Sequence, residues 1–132
     1  MAVLPCFLWS GVDGLDTLIP REELEQGLHA GLAETSLMLH LAPDLVGTDR
    51  PVDGLHRSGR VSQPPQGWSL EGAAPCAWLT SDLSETGVIG DSRESSAALG
   101  EALENRLVDH WQTLLESLLN SDWPPKKRLD AS

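Results

Sequence analysis

The stretch from His29 to Leu41 has the sequence HAGLAETSLMLHL. Its apolar side chains recur at the three- and four-residue spacing of a helix, at Ala33, Leu37, Met38 and Leu41. Pro43 ends this pattern, because proline lacks a backbone N–H and its ring clashes with the preceding turn. The sequence therefore predicts a helix of about three turns from Ala30 to Leu41.

Two side chains at the start of this helix are candidates for catalysis or metal binding. On one continuous helix His29 and Glu34 would point about 140° apart, but Gly31 allows the chain to turn into the helix between them. We then expect both side chains to face a cavity outside the helix N-terminus, where free amides favour an anion or a developing oxyanion. A neutral imidazole passes protons, and a carboxylate holds a divalent ion or orients water. These are parts of a metal-assisted hydrolase, although by spacing alone a His and a Glu near a helix start are ordinary residues, and that spacing favours a structural role for both.

Two short apolar runs predict strands. Val3 to Trp9 is predicted to be a strand buried on both faces, and Cys76 to Leu79 is a second candidate. Residues 46 to 74 are rich in Gly, Pro, Ser and Arg without a lasting period, which predicts a long loop. A strand buried on both faces needs paired strands at its edges and helices over its faces, and the sequence predicts few other strands that could pair with it.

A second, longer helix is predicted from Ser96 to Asn120. Gly87 to Asp91 is a turn or strand end that leads into it, with Ser92 or Ser95 as the expected cap. One apolar stripe follows this helix, at Leu99, Leu103, Leu107, Trp111, Leu114 and Leu118. The stripe predicts a helix that covers a sheet or a partner.

The composition is that of one small globular domain. The chain has 132 residues, 40% of them apolar, and a formal charge of −11. Such a surface repels phosphate backbones and anionic lipid, so we expect neither nucleic acid nor a membrane as a partner. Cys6 and Cys76 lack metal-ligand spacing, and the N-terminal run is too short for a signal peptide or a spanning helix, so we expect a cytoplasmic protein.

Several motifs carry a resemblance to a known family. His29-Ala-Gly, two further residues and then Glu34-Thr-Ser-Leu-Met-Leu are followed by Ala42-Pro-Asp-Leu-Val. Thr86-Gly-Val-Ile-Gly-Asp comes later, with Ser95-Ser-Ala and Gly100 after it. Together these segments resemble the C-terminal portion of the creatininase (creatinine amidohydrolase) family, over roughly Val3 to Leu119.

The resemblance implies a fold and an activity. The fold would be the C-terminal part of a three-layer α/β/α sandwich with a mostly parallel sheet, commonly assembled as a hexamer. The activity would be hydrolysis of a cyclic or linear amide C–N bond, in a small molecule or a peptide, with divalent zinc or manganese. The resemblance makes His29 the proton relay and Glu34 a catalytic and metal-binding carboxylate, with Trp9, Ala30 and Gly31 at the substrate. The amides from Ala30 to Ala33 would polarise the carbonyl.

The sequence also departs from the family pattern. Leu28 stands where an acidic residue often precedes the histidine, and the Glu-x-His and His-Gly-Gly-Asn segments that carry most metal ligands are absent. We therefore expect residues 1–123 to be a truncated, C-terminal creatininase-like region, completed by a missing N-terminal half or by homo-oligomerisation, and residues 124–132 to be a polar tail.

Two alternatives remain open on the sequence. In the first, the chain is a non-catalytic remnant or binding subunit that docks through its apolar helix and opening strand. In the second, the chain binds a metal through His29, Glu34 and a loop residue, either His56 or Asp53.

Overall fold

A computed structural model describes residues 7–54 and 64–123. Helices α1 to α4 span Arg21–Gln26, Leu32–Leu41, Thr80–Leu83 and Ala97–Leu119. Two 3₁₀ turns lie at Leu15–Thr17 and Pro43–Leu45. The strands are β1, Val52–Asp53, and β2, Gly90–Asp91.

The core lies where α2 packs on α4. Leu103 of α4 is completely buried, and Ser36 of α2 is buried to the same degree. The two helices approach so closely at Gly100 that a Cβ there would lie 2.0 Å from the Ser36 carbonyl oxygen. The buried apolar residues at this crossing are Val12, Leu15, Ile19, Leu32, Leu103 and Leu107. This packing fixes the orientation of α2, whose first turn carries the candidate site.

Helix α4 agrees closely with its prediction, but its cap differs. Ser96 is the N-cap, and its side chain accepts a hydrogen bond from the Leu99 amide at 3.2 Å. Neither Ser92 nor Ser95 caps the helix; Ser92 is buried and donates to the Pro51 carbonyl at 2.7 Å. The apolar stripe is buried at Leu103 and Leu107, and Leu114 is 45% exposed.

The sheet differs from the one that the resemblance implied. The strand pairing in the described residues is a two-stranded antiparallel ladder that joins Val52 to Asp91 and Asp53 to Gly90. An isolated antiparallel bridge, between His29 and Ile89, lies just beside it. The chain therefore mixes helices with a small antiparallel sheet, and the described residues contain no parallel sheet of a three-layer sandwich.

Both strand predictions from apolar runs are wrong where they can be examined. Phe7 to Ser10 form a turn, in which the Ser10 amide donates to the Phe7 carbonyl at 3.0 Å, while residues 3–6 lie outside the described part. Residues 76–79 form no strand: the Cys76 amide donates to the Ser69 carbonyl at 2.8 Å next to an isolated bridge between Ser69 and Pro75, and Trp78 donates its indole N–H to the Leu70 carbonyl at 2.9 Å. Neither run is buried as a core strand would be, since Phe7 is 61% exposed and Leu79 is 69% exposed.

Three further expectations concern single features. The predicted loop at residues 46–74 contains β1 in its first part. Cys76 is a free, half-buried thiol, and Cys6 lies outside the described residues. Among the helices that the structure describes, none combines the length and apolar character needed to cross a membrane.

Candidate functional site

A cleft of about 160 Å³ opens beside the first turn of α2. Apolar side chains, Trp9 among them, form much of its wall, and its polar groups are Glu23, His29, Glu34 and Glu71. The structure thus brings together four residues selected from the sequence, Trp9, Gly31, His29 and Glu34. Ala30, the fifth candidate residue from the sequence, does not line the cleft, and its backbone forms the turn beside it.

The backbone of His29 is held by the strand end that precedes β2. The His29 amide donates to the Ile89 carbonyl at 3.2 Å, and the Ile89 amide donates back to the His29 carbonyl at 2.8 Å. The imidazole itself is 53% exposed, and its Nδ1 lies 3.7 Å from Glu34 Oε2. That distance is too long for a hydrogen bond but short enough for electrostatic attraction. The ring is therefore placed on a fixed backbone and remains accessible from the cleft.

The turn into α2 is made by Ala30. Ala30 has a φ of 52°, in the left-handed region, whereas Gly31 has an ordinary φ of −78°. Glu34 Oε2 accepts a hydrogen bond from the Ala30 amide, and the Thr35 hydroxyl donates to the Ala30 carbonyl at 2.8 Å. The prediction that Gly31 supplies the turn is wrong, because side chains from the first helical turn hold Ala30 in the unusual conformation instead.

Gly31 is required for a different reason. A Cβ at Gly31 would lie 1.9 Å from Glu23 Oε1, and one at Gly90 would lie 2.7 Å from the same oxygen. A side chain at either position would therefore collide with the Glu23 carboxylate. Both glycines leave space for a charged group that arrives from α1.

Glu23 is the residue that sequence reasoning missed. It is only 8% exposed, and its two oxygens accept hydrogen bonds from the Leu32 amide at 2.6 Å and the Asp91 amide at 2.9 Å. Burial raises the pKa of this carboxyl above its ordinary value, the two amide hydrogen bonds oppose that rise, and the charges of Asp91 and Glu34 add to it. Nothing in the run REELEQ distinguishes Glu23 from its acidic neighbours, so the sequence held no signal for it.

Some of the backbone amides that were predicted to polarise a substrate carbonyl already donate hydrogen bonds within the chain. The Ala30 amide donates to Glu34, and the Leu32 amide donates to Glu23. These two N–H groups are therefore already engaged, and they do not point freely at a ligand. The expectation that the amides of Ala30 to Ala33 together polarise a carbonyl is wrong for these two.

The described residues do not complete a metal site. No group of three or more His, Cys, Asp or Glu side chains with metal-binding geometry occurs in residues 7–54 and 64–123. His29 and Glu34 supply two donors of suitable type, whereas a catalytic zinc ion takes three protein ligands. This chain's described side chains alone therefore do not fit a catalytic zinc ion.

The loop residues proposed as a third ligand do not supply one here. Asp53 Oδ2 accepts hydrogen bonds from the Ser84 hydroxyl at 2.9 Å and from the Glu85 amide at 2.9 Å. These and further hydrogen bonds with Thr86 and Gly54 lower the pKa of the Asp53 carboxyl against the opposing effect of its desolvation. Asp53 is not among the residues that line the cleft. His56 lies outside the described residues.

Comparison with known proteins gives one match. The family model described as Creatininase, creatinine amidohydrolase, matches residues 1–115. No curated protein and no solved structure matches the chain significantly.

Proposed function

The chain belongs to the creatininase family, and on that premise we propose that its cleft binds an amide whose C–N bond is hydrolysed, with His29 transferring the proton. The observation that carries the proposal is the shared cleft: a half-exposed imidazole, a carboxylate 3.7 Å from it and the Trp9 side chain line one opening. The family supports amidohydrolase chemistry, and this cleft contains a group able to perform the proton transfer.

Hydrolysis of an amide requires a proton on the departing nitrogen. The His29 imidazole is suited to this step, because its ring nitrogens can accept and donate a proton and its backbone is fixed by the bridge to Ile89. Glu34 lies where its negative charge stabilises an imidazole that has gained a proton. The apolar wall, including Trp9, excludes water around the rest of the substrate and favours a flat or apolar amide.

Family members are generally metal-dependent, and we propose that zinc or manganese serves this site as well. Because the described residues contain no group of three His, Cys, Asp or Glu side chains that could hold a metal ion, we assign no step to the metal. The remaining ligands would come from a missing N-terminal half or from a second copy of the chain in a homo-oligomer. We propose that such an assembly also contains the parallel sheet of the three-layer sandwich.

The experiment starts from the protein in its native state. The tagged chain, purified from its native host with any polypeptide bound to it, is incubated with creatinine, a formylated amine or a short peptide amide, each with Mn²⁺ or Zn²⁺. Hydrolysis of one of these amides is expected, and H29Q is expected to lower kcat by about 100-fold or more. Absence of hydrolysis with every substrate and metal would overturn the proposal, as would an H29Q variant of unchanged activity.

H40Q is the matched control for the loss of a histidine. His40 lies at the other end of α2, where its Nε2 is 2.9 Å from Glu104 Oε2 and it does not line the cleft. We expect H40Q to keep the kcat of the wild-type chain. A loss as large as that of H29Q would show that histidine removal disturbs α2 as a whole.

A second function, docking without catalysis, is favoured by the outer half of α4. Several large apolar side chains there are exposed, Val108, Leu114, Leu115 and Leu119, followed by Trp123. A surface of this kind is typical of an interface. The assay above distinguishes the two functions. If the chain is only a docking subunit, the purified protein hydrolyses no amide, or it hydrolyses one and the H29Q variant does so equally well.

A further inference from the structure

The two candidate catalytic side chains are carried by different elements. His29 is hydrogen-bonded through its backbone to Ile89, the residue that precedes β2. Glu34 stands on the first turns of α2. The separation of the imidazole from the carboxylate therefore depends on how α2 is held against β2.

One side chain joins these two elements. Glu23 accepts from the Leu32 amide, at the first residue of α2, with one oxygen, and from the Asp91 amide, in β2, with the other. The residue before each of these donors is a glycine, Gly31 or Gly90, and a Cβ at either place would collide with the carboxylate. The backbone on both sides is thus shaped around this group.

We propose that Glu23 is the positioning residue of the cleft: by tying the first turn of α2 to β2, its carboxylate sets the distance between His29 and Glu34. Glu23 acts through its neighbours and transfers no proton itself. It also lines the cleft that His29 and Glu34 share. The kinetic part of the proposal rests on the proposed function, and the structural part does not.

Three variants test the role of Glu23. E23Q keeps the size of the side chain but places an amide NH₂ where one of the two backbone N–H donors needs an acceptor. E22Q makes the same change at the neighbouring exposed position of α1 and is the control. E23D keeps the charge on a shorter side chain and serves if E23Q does not fold.

Amide hydrogen exchange is the first measurement. In E23Q we expect exchange to accelerate by about tenfold or more at Leu32 or Asp91, whichever amide faces the glutamine NH₂, and by more than at Leu103 and Leu107, which report on the buried part of α4. A role in overall stability alone would accelerate all four amides alike, and E22Q is expected to change none. Unchanged or uniform exchange in E23Q would overturn the proposal.

Steady-state kinetics on the amide that the wild-type protein hydrolyses is the second measurement. Well below the unfolding temperature, E23Q is expected to lower kcat by about tenfold while KM changes by less than about threefold, because positioning acts on the chemical step. Faster exchange at Leu32 or Asp91 with unchanged kcat would overturn the positioning role.

A crystal structure of E23Q decides the matter if the wild-type protein hydrolyses no amide. That outcome would remove the proposed function, but it leaves the geometric claim open to measurement. The proposal then requires a distance from His29 Nδ1 to Glu34 Oε2 longer than the 3.7 Å of the wild type. An unchanged distance would overturn it.

Discussion

Glu23 Oε1 accepts a hydrogen bond of 2.6 Å from the amide of Leu32, nine residues further along the chain. Leu32 is the first residue of α2, whose N-cap, Gly31, has no side chain to offer. An anion at a helix N-terminus satisfies an unpaired amide and interacts favourably with the helix dipole. A carboxylate from α1 therefore performs the task that a capping side chain performs elsewhere.

The buried position of Glu23 predicts how stability depends on pH. Because its folded-state pKa is raised above the ordinary value of 4.5, its contribution to stability is fully present below that value and is lost as pH rises through the folded-state pKa. The free energy of unfolding of the wild type, minus that of E23Q, should therefore fall as pH rises above about 4.5. Urea denaturation across the acidic to neutral range measures this difference.

The nearby acids, Asp91 and Glu34, are present in both the wild type and E23Q. Their own titration therefore cancels in the difference of unfolding free energies, except for the part that depends on the charge at position 23. A difference that does not change with pH, or that rises with it, would contradict this account of Glu23.

A methyl group at Gly31 is predicted to destabilise the protein. In G31A the new Cβ would lie 1.9 Å from Glu23 Oε1, so the carboxylate or α2 must move. Overpacking of this kind costs about 1–3 kcal/mol. G47A is the matched control, because no atom lies within 4 Å of its added Cβ. Thermal unfolding of the two variants should give a lower Tm for G31A alone, and equal values would contradict the collision.

The contact between α2 and α4 gives a prediction that opposes helix propensity. Alanine is more favourable than glycine inside a helix by about 1 kcal/mol, yet in G100A the Cβ would lie 2.0 Å from the Ser36 carbonyl oxygen. We expect a net loss of about 1–3 kcal/mol from separation of the two helices. Urea denaturation measures it, and N105A, at an exposed position of the same helix, is expected to be neutral or slightly stabilising. A more stable G100A would show that the helices separate at little cost.

The Asp53 carboxylate is predicted to hold the loop that precedes β2. D53N removes the charge that accepts from Ser84, Glu85 and Thr86, and should cost about 1–2 kcal/mol, at the lower end for charged hydrogen bonds because the site is partly exposed. The folded-state pKa of Asp53 is lowered, so this contribution is present above the ordinary value of 3.8 and is lost as pH falls through the folded-state pKa.

Chemical denaturation near neutral pH, repeated in acid, measures the effect of D53N. D49N, at an exposed position shortly before β1, is the control and should unfold like the wild type. A D53N variant as stable as D49N would show that the loop is held by other contacts.

The sequence predicted both long helices because their signals are local. The helix predicted from Ser96 to Asn120 is observed at Ala97–Leu119, since its apolar stripe lies within the segment itself. Strand β2 lies within Gly87 to Asp91, the segment predicted to be a turn or strand end. Strand β1 was not predicted, because a two-residue strand exists only through its partner across the sheet. Trp9 belongs to a run that reads as a strand but packs beside a helical core.

The residues of the candidate site likewise fall into those marked by local sequence and one that depends on tertiary contacts. His29 and Glu34, which the sequence alone marked, lie five positions apart around a helix start, so one local turn brings their side chains together. Glu23 acquires its importance from Leu32 and from Asp91, which is 68 residues away, and only tertiary packing creates those contacts. The sequence alone therefore determined the long helices and the family, through short-range patterns. Only the folded structure decided that the Glu23 carboxylate is buried between α2 and β2, because desolvation depends on everything that surrounds the group.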